Sequence, residues 1–220
     1  MADYATARMN MVDSQIRTNK VTDAALLAAF ESVPREAFVP GWLAKTAYVD
    51  NDVALGNDRY VMEPMVLARL LQEAMPGPAD VVLDVGCGTG YATAILAKLA
   101  ATVVALESDR DMAVGAAKTL ADLGIDNAIV VEGPLPAGWA AQAPYGVILL
   151  NGAVADVPGA IRDQLSEGGR LVTVQRTDAS QGLGKGILVQ RSGNIATGRA
   201  FFDAATPILP GFAPETGFVF

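Results

Sequence analysis

This 220-residue sequence predicts one α/β domain built on a doubly wound, mostly parallel sheet, and three observations support that class. Short apolar runs alternate with helix-length amphipathic segments between residues 81 and 175, the pattern of parallel strands covered on both faces. The first of these runs, Val81-Val82-Leu83-Asp84-Val85, ends in three alternating glycines, Gly86, Gly88 and Gly90, which open an alanine-rich helix. Two later apolar runs, 186–190 and 200–202, read as an antiparallel closing pair.

Taken in chain order, Met9, Val12 and Ile16, then Val21, Ala25, Leu26 and Ala29, recur at helical intervals and predict a two-piece helical cover from Ala5 to Ser32. Asn19 or Thr22 is the expected cap of the second piece. Two prolines then set a turn and a short extended segment, Val33-Pro34-Arg35-Glu36-Ala37-Phe38-Val39-Pro40. Asp50 to Arg59 is polar and glycine-containing and reads as loop. Pro64 opens a helix carrying Met65, Leu67, Ala68, Leu70 and Leu71, which Pro76-Gly77-Pro78 ends. Residues 1–75 are thus expected to form an N-terminal helical cover, and 76–220 the core of the same domain. In the core, strands are expected at 81–85, 103–107, 128–132, 146–151 and 169–175, with helices at 90–100, 110–123 and 158–165. The C-terminal aromatics Phe201, Phe202, Phe212, Phe218 and Phe220 are read by default as packing groups.

The glycine turn carries the chemistry. Glycines permit positive φ and leave no Cβ between main chain and ligand, while unpaired N–H groups of the following helix point outward. A dinucleotide fingerprint needs a glycine where Tyr91 stands, so the pattern is Asp-x-Gly-x-Gly-x-Gly from Asp84 to Gly90. About twenty residues on, the run Val103-Val104-Ala105-Leu106 ends in Glu107, placed to accept two hydrogen bonds from a ribose diol. That acid suits adenosine or a non-phosphorylated dinucleotide; a solvated strand-end acid is the plainer alternative.

Composition narrows the class. With 24 acidic and 16 basic residues, the formal charge of -8 argues against a nucleic-acid backbone as partner. The sequence contains no histidine, which excludes Ser-His-Asp and Cys-His catalysis and any histidine-held metal. Its one cysteine, Cys87, reads as a small filler in the glycine turn and excludes a thiolate metal cluster, so no metal is expected. The polar N-terminus and the lack of a long apolar stretch predict a cytoplasmic protein without a membrane partner.

These motifs resemble those of class I methyltransferases that use S-adenosylmethionine. Across most of the chain the likeness is to the protein-L-isoaspartate (D-aspartate) O-methyltransferase family. It rests on Val33 to Pro40 as a VPRE-x-FVP segment, on Gly90-Tyr91-x-Thr93-Ala94-Ile95-Leu96-Ala97, and on Ala143-Pro144-Tyr145 through Pro158 and Gln164-Leu165 to Gly168-Gly169-Arg170-Leu171-Val172. The resemblance implies a Rossmann-like fold and methyl transfer from S-adenosylmethionine, leaving S-adenosylhomocysteine, to the abnormal carboxylate of isoaspartyl residues. Isoaspartyl peptides or proteins are then the substrate, and the protein a monomer or weak homo-oligomer. The resemblance also makes 1–75 the substrate-side segment and 76–220 the cofactor-binding core. Carried onto this chain, the cofactor-binding set is Asp84, Gly86, Cys87, Gly88, Thr89, Gly90, Glu107, Ser108, Gly133, Pro134 and Asn151.

The sequence also departs from the family. Where a Thr/Ile/Ser/x/Pro segment is usual, this chain has Tyr60-Val61-Met62-Glu63-Pro64, so Met62 replaces a serine thought to position the substrate carboxylate. Arg59 and Tyr60 are the candidates to take over that role, with surface or packing roles as the alternative. Where the family has Gly-Asp-Gly, the chain has Gly133-Pro134-Leu135, without the acid that meets the adenine amino group. Two further readings therefore stand beside isoaspartyl methylation: a methyltransferase with another acceptor, and a non-catalytic cofactor-binding or scaffold protein.

Overall fold

The computed structural model describes residues 3–177, 182–193 and 195–214. A seven-stranded sheet runs in the order β5-β4-β3-β6-β7-β8-β9. Its parallel part consists of β3 (Val81–Val85), β4 (Thr102–Glu107), β5 (Ala128–Glu132), β6 (Tyr145–Val154) and β7 (Leu165–Gln175). The antiparallel strands β8 (Gly184–Ser192) and β9 (Ile195–Ala204) complete it. Strand order reverses between β3 and β6, so the crevice at their carboxyl ends is the place where such sheets bind ligands.

Alternation along the strands divides the core into two layers. Val82, Val103, Val147 and Leu149 face one cluster, shared with Leu26, Phe30, Leu67, Leu70, Tyr91 and Ile95. Leu83, Val85, Val104, Leu106, Ile148 and Leu150 face the other, with Ile161, Leu209 and Phe212. The first layer is covered by α1 (Tyr4–Met11), α2 (Ala24–Ser32), α3 (Pro64–Ala74), α4 (Tyr91–Ala97) and α5 (Arg110–Asp122). On the second lie the short α6 (Gly159–Arg162) and a C-terminal strap, residues 206–212.

The helical cover forms as the periodicity predicts. Between its two pieces the chain passes through a wide turn at Val12–Ile16 and a tight one at Arg17–Asn19. The cap of α2 is Asp23, whose carboxylate accepts from Leu26 N at 2.7 Å, rather than Asn19 or Thr22. Asn19 instead donates to Gln15 O, and the backbone of Thr22 to Gln72.

The segment read as loop contains a hairpin, β1 (Val53–Gly56) and β2 (Arg59–Val61). Its turn residues Asn57 and Asp58 have φ of 50° and 54°, the left-handed backbone that tight hairpin turns require and that Asn and Asp tolerate. The helix expected at 158–165 is cut to one turn, because Leu165 already pairs with Tyr145 at the start of β7. Phe201 and Phe202 pack against the first core layer and Phe212 in the second, whereas Phe218 and Phe220 lie outside the described residues.

Among the described residues no helix is long and apolar enough to cross a membrane, and no group of three or more acidic or cysteine side chains is placed to hold a metal.

Candidate functional site

The glycine turn joins β3 to α4 at the point of strand reversal. Gly86, Gly88 and Gly90 have φ of 80°, 57° and 97°, values at which a side chain would be strained. Gly86 N and Cys87 N donate to Leu106 O at 2.8 and 3.1 Å, tying the turn to β4. Thr89 Oγ1 donates to Phe38 O at 2.5 Å and so joins it to the prolyl segment. Buried Cys87 packs within the turn, and burial raises its thiol well above the usual value, so it supplies no thiolate.

Asp84 is wholly buried at the end of β3. One carboxylate oxygen accepts from Thr93 Oγ1 at 2.7 Å and the other from Asn151 Nδ2 at 3.2 Å. Burial pushes its pKa up to about 7 against the pull of those two hydrogen bonds. Asn151 therefore stands at the crevice as a partner of Asp84, bridging the two central strands.

Glu107, 0% exposed, ends β4 with both oxygens engaged by the protein. Oε1 accepts from Ser108 N at 2.7 Å, Ser108 Oγ at 3.2 Å and Asp109 N at 3.1 Å. Oε2 accepts from Gly88 N at 2.7 Å and from Arg59 Nη2 at 2.6 Å. Arg59 is only 4% exposed. In this arrangement the Arg59 guanidinium pairs with Glu107 inside the crevice. Ser108 likewise turns its hydroxyl inward onto Glu107.

The substrate-side residues separate. Met62 is buried, with its carbonyl accepting from Arg35 Nη2 at 2.8 Å, so its side chain is a core group in this arrangement. Tyr60 lines an open cleft of about 630 Å³ bounded by Asn51, Asp52, Glu63 and the strap. Asp52 accepts from Glu63 N and Thr206 Oγ1. Burial, followed by the charges of Asp50 and Asp52, raises the Glu63 carboxyl to about 7. Asp58 adds a third acid to the wall.

In this arrangement the crevice is closed over the glycine turn by the protein's own side chains. Two small cavities among the described residues, beside Cys87, Asn151 and Arg59, are about 10 Å³ each, room for at most one water, against ~300 Å³ or more in ordinary ligand pockets. A Cβ placed on Gly86 would meet Leu209 Cδ2 at 2.8 Å and Arg59 Nη2 at 3.0 Å, so the protein's own side chains occupy the approach that glycine leaves open. Gly133, whose N donates to Glu107 O at 3.0 Å, is flanked by Trp139 and Leu106. Pro134 follows as the lead into the tight turn Leu135–Ala137. Sequence reading does not single out three crevice residues: Leu209, Trp139, and Leu55, whose Cδ1 would lie 3.5 Å from a Cβ on Gly88. The visible signal for the first was the apolar pair Ile208-Leu209 bracketed by Pro207 and Pro210-Gly211.

Comparison with known proteins supplies the family. The sequence model described as protein-L-isoaspartate(D-aspartate) O-methyltransferase matches residues 6–195. The protein-L-isoaspartate O-methyltransferase of Koribacter versatilis (strain Ellin345) is 40% identical over 172 residues, 78% of each chain. That of Methanoregula boonei is 37% identical over 187 residues, 85% of each chain. A solved protein-L-isoaspartate O-methyltransferase shares the fold with a TM-score of 0.82 at 24% identity, over 94% of this chain and 67% of that one. A putative Plasmodium falciparum counterpart in complex with S-adenosyl-L-homocysteine superposes with a TM-score of 0.75 at 18% identity, over 95% and 99% of the two chains. With the motif segments at 33–40 and 84–97 and the observed strand order in place, these matches establish that the chain belongs to the protein-L-isoaspartate(D-aspartate) O-methyltransferase family.

Proposed function

We propose that the protein transfers a methyl group from S-adenosylmethionine to the carboxylate of L-isoaspartyl residues, the reaction that starts repair of such damaged proteins. The observation that carries this reading is the convergence of Asp84, Gly86, Gly88, Gly90 and Glu107 at the point of strand reversal, in a chain that matches the family over residues 6–195. A carboxylate acceptor with an ordinary pKa near ~4 is already ionised at neutral pH and needs no base. That agrees with a sequence lacking histidine and with a cysteine held as thiol. What remains for the protein to supply is positioning, and Tyr60 is the hydroxyl best placed for it on the cleft wall. Arg59 and Leu209 lie over the glycine turn in this arrangement, so cofactor entry on this reading moves both side chains.

The test is transfer of labelled methyl from S-adenosylmethionine to an isoaspartyl peptide, with the matching aspartyl peptide as control. A base-labile methyl ester on the isoaspartyl peptide alone is the expected product. A second reading is favoured by Asp52, Asp58 and Glu63 on the cleft wall, which suit a neutral or cationic acceptor better than an anion. Methylation of amines or alcohols in the same assay, with none of the isoaspartyl peptide, would replace the first reading by the second.

A further inference from the structure

The groups that close the crevice come from two separate parts of the chain, and each is firmly held. Arg59 projects from β2, whose last residue, Val61, and its neighbour Met62 offer carbonyls to the buried Arg35 guanidinium at 3.4 and 2.8 Å. Leu209 belongs to the strap, which pairs with the end of β6. Ala153 N donates to Pro207 O and Leu209 N to Ala153 O, both at 2.8 Å, and Ala155 N donates to Phe212 O at 3.0 Å. Thr206 Oγ1 donates to Asp52 Oδ1 at 3.2 Å, connecting strap and hairpin. A Cβ on Gly152 would lie 2.7 Å from Leu209 Cγ, so the strap rests directly on bare β6 backbone.

Within this closure the glycine turn already has an occupant. Oε2 of Glu107 shares its lone pairs between Gly88 N and the Arg59 guanidinium, and Oε1 is filled by Ser108 and Asp109. A diol meeting Glu107 must displace Arg59, the only one of these donors supplied by a distant side chain. Arg59 Nε is buried without a hydrogen-bond partner among the described residues. The guanidinium therefore sits in the crevice with one donor unsatisfied, which lowers the cost of leaving it.

We infer that Arg59 and Leu209 form an internal plug: the Arg59 guanidinium takes the place of a sugar diol on Glu107, Leu209 fills the space over Gly86, and an adenosyl ligand binds only by displacing both. The inference rests on the proposed function for the identity of that ligand. It makes apparent affinity equal to the intrinsic affinity reduced by the fraction of molecules that are open.

Calorimetric titration of S-adenosylhomocysteine into the full-length protein and into Arg59→Gln, Leu209→Ala and the double variant tests this, with circular dichroism to verify folding. The expected result is weak binding to the unmodified protein and an affinity raised at least about ten-fold in the double variant, with intermediate gains in the single ones. If the Leu209 variants fail to fold, Arg59→Gln carries the test, because glutamine keeps an N–H for Glu107 while emptying part of the space; tighter binding is again expected. Tight binding to the unmodified protein that the substitutions leave unchanged or weaken would overturn the plug and leave methyl transfer standing. Folded variants that all fail to bind would overturn the plug as the cause of exclusion and remove the proposed function with it.

Discussion

The Arg35 guanidinium lies over the ring of Tyr91, 4.8 Å from its centroid. This one contact joins the two most distinctive segments of the sequence, the prolyl stretch 33–40 and the helix that follows the glycine turn. Arg35 also donates to Ala47 O at 2.6 Å and to the carbonyls of Val61 and Met62. Tyr91 is held edge-on by Phe30 and Phe38, with centroids at 6.3 and 5.6 Å. The large residue that stands where a dinucleotide fingerprint has glycine is the floor on which the cover rests.

Arg35→Ala is expected to cost about 3 kcal/mol or more of folding stability, because it orphans buried carbonyls and leaves a void under Tyr91. Urea denaturation measures it. A loss below ~1 kcal/mol would mean that the cover does not depend on this side chain.

Folding stability should fall as pH rises from about 4 to about 7. Asp84 has its pKa raised to about 7 in the fold, so in that window the native protein holds a proton that the unfolded chain has released. The stabilisation is full below the unfolded carboxyl value and is lost on passing the folded one. A change on the order of 3 kcal/mol is expected from Asp84, with a smaller contribution from the partly exposed Glu63. Denaturant midpoints measured between pH 4 and 8 should show the slope, and Asp84→Asn should remove most of it.

Glu63, raised to about 7, is largely neutral at pH 6 and an anion at pH 8 on the wall of the cleft that Tyr60 lines, the site proposed for the acceptor. Substitution by glutamine is expected to lower the KM for an isoaspartyl peptide roughly five-fold at pH 8 and to have little effect at pH 6, from removing a like charge worth about 1 kcal/mol in water at contact distance. Steady-state kinetics at the two pH values gives the answer. Equal effects at both would show that Glu63 does not face the bound acceptor.

At the far edge of the sheet, Gly186 of β8 lies under the Phe202 ring of β9. A Cβ there would clash with Phe202 Cε1, while the Arg69 guanidinium caps the same ring at 4.8 Å. Gly186→Ala should therefore destabilise by about 1–3 kcal/mol through overpacking, and Gly186→Ala with Phe202→Leu should recover part of that loss. Chemical denaturation of both variants distinguishes this overpacking from a simple change in strand propensity.

The strand and helix alternation, the glycine turn and the acid at 107 were all legible from local pattern. Period and turn chemistry are properties of neighbouring residues and survive in a one-dimensional reading. The hairpin at 53–61 was missed although Asn57-Asp58 carried its turn signal, because its strands are short and its burial comes from contacts made later in the chain. The cap of α2 falls at Asp23, one residue beyond Thr22 and four beyond Asn19, the two candidates of the local pattern, a shift that depends on which backbone N–H is left free.

By itself, then, the sequence determined the fold class, the order of the core elements, and the glycine turn and strand-end acid that stand at the point of strand reversal. Only the tertiary structure decided what occupies that point. Arg59 lies 48 residues from Glu107, and Leu209 comes from a different end of the chain; nothing in local spacing brings them over Gly86. Their placement follows from packing the hairpin under Arg35 and the strap along β6. A buried carboxylate takes whichever donors that packing delivers, and here the nearest is the chain's own guanidinium.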